Sequence, residues 1–216
     1  MGLSTITDNL DSYAEGFVGT LQLTALGAAG ALVVGAGLAA MRVSPVPTLR
    51  GAGLVYVELF RNFPLPVLVV LLAFGGPKVA ATQSFFTYAV IAIVVYHASF
   101  VCEALRSGIN AVGTGQGEAA RSLGLPFRQV LGLVVLPQAF RTVVPPLGNV
   151  LIALTKNTAV AATIDVTDIT NSTEIVINST VDPVFAVLGA ALCYLALTLP
   201  MGLLVGRVER RSAFAR

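Results

Sequence analysis

Charge is scarce in this chain. Only 11% of its 216 residues are Asp, Glu, Lys or Arg, while 56% are hydrophobic, and a water-soluble domain carries about 25% charged residues. With a mean hydropathy of +0.85, the excess apolar side chains must face lipid, which excludes a soluble enzyme and a disordered chain. Tryptophan is absent, and there are one histidine and two cysteines. Cys102 and Cys193 each lie inside an apolar run, away from other Cys, His or paired acids, so neither a disulfide framework nor a metal site is expected; both read as small core hydrophobes. His97, in an apolar stretch, reads as a packed or hydrogen-bonded helix residue. The first fifteen residues contain no Lys or Arg but do contain Asp8, Asp11 and Glu15. That is the wrong chemistry for a signal-peptide n-region, so the first apolar stretch is expected to persist in the mature protein.

What the chain does have is long apolar runs. Residues 16–41 hold no charge and exceed the roughly 20 residues that cross a hydrocarbon core. Their small residues (Gly27, Ala28, Gly30, Ala31, Gly35, Gly37) suit close helix packing. Arg42 to Arg50, with two prolines, must break that helix. Further spans are expected at 51–75, as one helix kinked around Pro64 and Pro66, and at 85–105, 142–164 and 184–206. The chain is thus expected to be a single all-α transmembrane domain of five helices, with a long inner loop at 106–141. Five crossings put the ends on opposite sides, and the positive-inside rule places the N-terminus outside and the C-terminus inside. In that orientation the inner segments hold Arg42, Arg50, Arg106, Arg121, Arg128, Arg141, Arg207, Arg210, Arg211 and Arg216. The outer segments hold only Lys78, and Arg61 and Lys156 fall within spans.

The 106–141 loop is far longer than a connector requires. Glu118 to Leu123 is helix-forming, Gly124 suits a left-handed helix end, and Leu125-Pro126 opens a second helix. In that second piece Phe127, Val130, Leu131 and Val134 recur at helical spacing, so a short amphipathic helix pair is expected at the inner face. This loop resembles the signature of the permease subunits of ABC importers: E-A-A, three residues, G, nine residues, I, one residue, L-P. Here it reads Glu118-Ala119-Ala120, Gly124, Val134 and Leu136-Pro137, with Val for Ile as the only departure. The resemblance implies a type I importer permease fold, in the bacterial cytoplasmic (inner) membrane. It also implies that Glu118 to Gly124 couples to a separate ATP-binding cassette subunit, with Ala119 and Ala120 permitting close approach. No phosphate-binding G-x-x-x-x-G-K-[ST] occurs in the chain; on this reading the chain is no enzyme and has no cofactor of its own, and ATP and Mg belong to the partner ATPase. A second permease subunit, identical or related, and an extracytoplasmic solute-binding protein are the other implied partners.

Residues 58–69, 99–112 and 143–164 look like the polar amino-acid branch of these permeases. Residues 41–45, together with RSGINAV, EAARSLGL and LIALTKNTAVA, look most like actinobacterial glutamate-uptake permeases. The substrate expected is L-glutamate, with glutamine, aspartate or a basic amino acid as alternatives. Charges within spans are costly unless paired or wet. Glu58 and Arg61 stand three residues apart, as do Glu103 and Arg106, spacings that permit self-neutralising pairs on one helix face. Lys156, flanked by Thr155, Asn157 and Thr158, lies deep in its span, placed either to attract a substrate carboxylate or to pair with an acid. Lys156, Asn157, Glu58 and Arg61 are the candidate substrate residues. The rival readings are an ion-coupled secondary transporter using Glu58, Glu103 or His97, and a membrane scaffold that moves nothing.

Overall fold

The computed structural model describes residues 2–79 and 82–213, and these form helices joined by short turns, with no strand among the described residues. Arg216, counted above on the inner side, lies outside them. The α-helices are α1 (Leu3–Thr7), α2 (Leu10–Val43), α3 (Pro47–Asn62), α4 (Leu65–Gly75), α5 (Phe85–Asn110), α6 (Thr114–Ser122), α7 (Phe127–Gln129), α8 (Leu136–Asn157), α9 (Ile169–Thr180) and α10 (Pro183–Ala213). Four stretches are long and apolar enough to cross a membrane: Leu10–Val43, Phe85–Asn110, Phe127–Ile164 and Pro183–Arg210.

The second expected span differs from its reading as one kinked helix over 51–75. It is two helices, α3 and α4, meeting at 101°. Phe63 precedes a proline and is extended (φ −85°, ψ 133°), because a following pyrrolidine ring disfavours helical backbone; Pro64 after it is extended too (φ −67°, ψ 124°). The fourth span differs too. The second helix of the inner loop does not stop before residue 142 but runs into α8 through a π-helical turn at Val130–Val135. Pro137 has no N–H for the carbonyl one turn back. A widened turn just before it lets the rod continue, and Gln138 Nε2 donates to the Val134 carbonyl at 2.9 Å.

The core forms where α2 packs along α5, with α4, α8 and the 3₁₀ turn at Thr158–Ile164 around them. Small residues on α2 make this possible. A Cβ on Gly35 would lie 2.6 Å from the Val101 side chain and 2.9 Å from the Ala98 carbonyl oxygen, whereas Gly37 faces open space. Leu23, Ala31, Ile93, Val101 and Leu154 are fully buried between these helices. The outward faces of α2, α4 and α10 remain apolar and exposed, including Val33, Leu71 and Leu192, as lipid-facing surfaces require.

Beyond α8 the chain turns back. Asp165 adopts left-handed backbone (φ 57°), and Asp168 caps α9 by accepting from the Asn171 N–H at 2.8 Å. Such a cap satisfies one of the four free N–H groups at a helix start. The α9 turn is pinned to α2 by the Ile169 N–H, which donates to Thr20 Oγ1 at 3.1 Å.

Candidate functional site

Three groupings of polar residues stand out on this frame. The first is the turn after α6. Leu125 N–H donates to the Ala120 carbonyl (3.3 Å) and Gly124 N–H to the Arg121 carbonyl (2.9 Å). Together these two bonds make the Schellman helix ending. Gly124 takes φ +81° to close it, a backbone that a side chain resists. Glu118 and Ala119 are at the surface; Ala120, expected to face a partner, is buried, in a helix that packs back on the π-turn. Around the turn, Leu123 is 83% and Phe127 74% exposed. Leu123 lies before the apolar stretch that Phe127 opens, with Arg121 and Arg128 close by in sequence, and the single chain leaves both uncovered.

The second grouping centres on Glu103. Arg106 binds it through two bonds, Nε at 3.1 Å and Nη2 at 2.7 Å. Arg42 from α2 lies at 3.5 Å and Arg61 from α3 at 3.9 Å. The expected Glu103–Arg106 pair is therefore present, but the expected Glu58–Arg61 pair is not. Arg61 turns toward Glu103 and over the Phe100 ring, 5.7 Å from its centroid. Glu58, exposed, meets Asn62 of its own helix (3.5 Å to Oε2) and makes no ion pair among the described residues. Residues three apart on a helix are neighbours, but a carboxylate approached by guanidinium groups from three helices outcompetes an exposed pair.

The third grouping is a cavity of about 170 Å³ between α5 and α8, lined by Tyr96, His97, Phe100, Val150, Ala153 and Asn157. Its α5 wall is aromatic, with Tyr96 and Phe100 rings 5.0 Å apart. Its α8 wall is aliphatic except at Asn157, whose Nδ2 lies 3.1 Å from His97 Nε2. His97 Nδ1 is 3.0 Å from the Ile93 carbonyl oxygen, so its reading as a hydrogen-bonded helix residue agrees with its position. That it also reaches the cavity and joins α5 to α8 was not visible in the sequence, where sixty residues separate it from Asn157. Lys156 is exposed on the last turn of α8, beside Asn157 and one turn beyond Ala153, with no ion pair among the described residues. Of the four candidate substrate residues, the structure brings Asn157 to the cavity and Arg61 to its rim through Phe100. Glu58 and Lys156 stand apart from its lining. A wider opening of about 670 Å³ lies at the other end of α2, lined by Glu15, Phe85, Phe86 and Asp165 among others. It also carries polar side chains, Gln22 and Thr167 beside the two acids, but it is the more open of the two, and the more enclosed smaller cavity is the better candidate for a ligand.

Residues 31–213 match the family described as "Binding-protein-dependent transport system inner membrane component". A "Glutamate transport system permease protein GluC" from Corynebacterium glutamicum is 40% identical over 225 aligned positions, covering 98% of this chain and 99% of that protein. A "Probable glutamine ABC transporter permease protein GlnM" from Bacillus subtilis is 35% identical over 211 residues, covering 98% of each. Among solved structures, "Crystal structure of an amino acid ABC transporter with histidines" superposes with a TM-score of 0.91 at 29% identity, covering 98% of this chain and 99% of that one. A chain of the MetNI methionine ABC transporter, at 18% identity and a TM-score of 0.79 over 93% of this chain and 96% of its own, shares the fold. With an E-A-A loop, an all-helical frame of this shape and relatives matched end to end, the chain belongs to the inner-membrane permease components of binding-protein-dependent ABC transport systems.

Proposed function

We propose that this chain is the translocation subunit of an ATP-driven importer for polar amino acids, L-glutamate first, in the bacterial cytoplasmic membrane. It works as a pair with itself or a related permease, with two ATPase subunits inside and a solute-binding protein outside. The observation that carries the coupling role is the α6 turn. A short helix ends in a Schellman turn at Gly124, displaying Glu118 and Ala119 beside uncovered Leu123 and Phe127. Such a surface fits a groove on a partner and, being rigidly closed, transmits displacement into α8 through the π-turn. ATP-driven closure of the ATPases would draw two such helices together and open the path outward, and hydrolysis would reset it. The α3–α4 pair is read as one broken span, which keeps five crossings with the N-terminus outside. Glutamate is supported by the GluC relatives and by Lys156, an exposed cation beside the cavity that suits a carboxylate. Glutamine is the nearest rival, since the GlnM relative is similarly close.

The test is uptake of labelled L-glutamate by cells with and without the gene, with unlabelled amino acids as competitors and ATP varied separately from the membrane potential. Gene-dependent, ATP-dependent uptake competed by glutamate-like acids supports the proposal. Preference for glutamine or a basic amino acid replaces the substrate, and uptake that follows the potential while ignoring ATP replaces the mechanism. In the same assay, Lys156→Met should lower glutamate uptake at least tenfold while the ATPase still copurifies, and Lys156→Arg should retain most of it.

A further inference from the structure

The His97–Asn157 bond settles the orientation of a polar group at the cavity wall. His97 is 2% exposed, and its Nδ1 faces the Ile93 carbonyl oxygen at 3.0 Å. A carbonyl can only accept, so Nδ1 must carry the proton. A neutral imidazole has one N–H, which leaves Nε2 a bare acceptor. No carboxylate reaches the ring to support a second proton: the cavity lining contains no acid, and Glu103, farther along α5, is held by Arg42, Arg61 and Arg106. With Nε2 accepting, the Asn157 group 3.1 Å away must be the amide NH2, and the amide cannot turn over without setting two acceptors against each other. The Asn157 carbonyl oxygen is thereby held away from His97, without a hydrogen-bond partner among the described residues.

We propose that His97 is a positioning residue, holding Asn157 so that its carbonyl oxygen accepts from the ammonium group of an amino-acid substrate in the α5–α8 cavity. This rests on the amino-acid reading above and deepens it. The cavity then offers a zwitterion two complements: an oxygen acceptor with the aromatic face of Tyr96 for the ammonium, and the nearby Lys156 cation, with Arg61 over Phe100 at the rim, for a carboxylate. A dicarboxylate without an amine finds only the cations.

The experiment uses the permease copurified with its ATPase, without the binding protein, and measures affinity for L-glutamate, L-glutamine and glutarate, which is glutamate without its amine. In the wild type L-glutamate should bind more tightly than glutarate. His97→Phe should cut that preference about fivefold. His97→Gln, whose amide can accept at the position of Nε2, should restore it to within about twofold. Asn157→Leu should remove roughly tenfold, the equivalent of one hydrogen bond of about 1.4 kcal/mol. Unchanged preference in His97→Phe, or equal weakening of glutamate and glutarate, overturns the positioning role and leaves the importer reading standing. Absence of any amino-acid binding to the wild type overturns both. Because this chain has a single histidine, ¹⁵N-histidine NMR signals missing from the His97→Phe complex belong to His97. A protonated Nδ1 with a bare Nε2 is expected, and a proton on Nε2 overturns the proposal independently of any ligand.

Discussion

Glu103 is the single anion among three guanidinium groups from three helices, Arg42, Arg61 and Arg106. Glu103→Gln leaves those cations facing one another in a partly buried site, so a loss of about 2 kcal/mol is expected, read as a lower unfolding temperature of the purified complex. Arg61→Gln, removing the longest and most exposed of the three contacts, should cost far less. Asp168 responds to pH. It is fully buried, and that burial, opposed by its bonds to the Asn171 N–H and the Tyr194 hydroxyl, pushes its carboxyl from 3.8 up to about 6. A carboxyl whose folded-state pKa is raised holds its proton more tightly in the folded chain. Its contribution to stability is therefore greatest below about pH 4 and is lost as pH rises through about 6. Asp168→Asn, which keeps an oxygen for the α9 cap, should flatten that decline in thermal unfolding measured between pH 4 and 7. An unchanged slope would show that other groups carry it. The Glu103–Arg106 pair was legible from spacing alone, whereas the Glu103 partner of Arg61 and the Tyr194 hydroxyl on Asp168 come from distant elements and were not.

Among the helices, α6 has the ending most sensitive to one substitution. Gly124→Val places a β-branched side chain at φ +81°, a backbone that costs roughly 1–2 kcal/mol for any residue with a Cβ. The Schellman turn should open, Leu123 and Phe127 should lose their fixed presentation, and the variant should insert normally yet fail to retain the ATPase on copurification. Normal association and transport would count against the coupling role of this turn. Gly124 could be assigned from sequence because a helix end needing a left-handed residue is a local property. The π-turn at Val130–Val135 was not foreseen, since it depends on how the rod accommodates Pro137 while packing against α6. Similarly, the prolines near residue 64 announced a disruption of the second span, but its angle of 101° follows from where α4 finds its core. Leu65, Leu68, Val69 and Ala73 are buried there, in a cluster with residues of α5 and the 3₁₀ turn after α8.

The number of crossings turns on that bent pair. If α3 and α4 together cross once, the start of α2 and Lys78 both lie outside; if they re-enter, α2 alone separates them and they lie on opposite sides. With Cys102 and Cys193 replaced by alanine, Asp11→Cys and Lys78→Cys should both react with a membrane-impermeant maleimide in intact cells, and Ser122→Cys only after lysis. Labelling of only one of Asp11→Cys and Lys78→Cys in intact cells would reduce the crossings to four and put the two ends of the chain on one side.

The amino-acid sequence determines the all-helical membrane class, the approximate runs that form its long helices and the turn at Gly124. Each depends on composition, on period or on backbone preferences within a few residues, and these act whatever the rest of the chain does. The charge cluster on Glu103, the burial of Ala120 and Asp168, and the meeting of His97 with Asn157 had to await folding. A hydrogen bond or ion pair between groups many residues apart in the chain is set by how helices pack, and that packing is a collective result of small residues on α2, the break at Phe63-Pro64 and the reversal after α8.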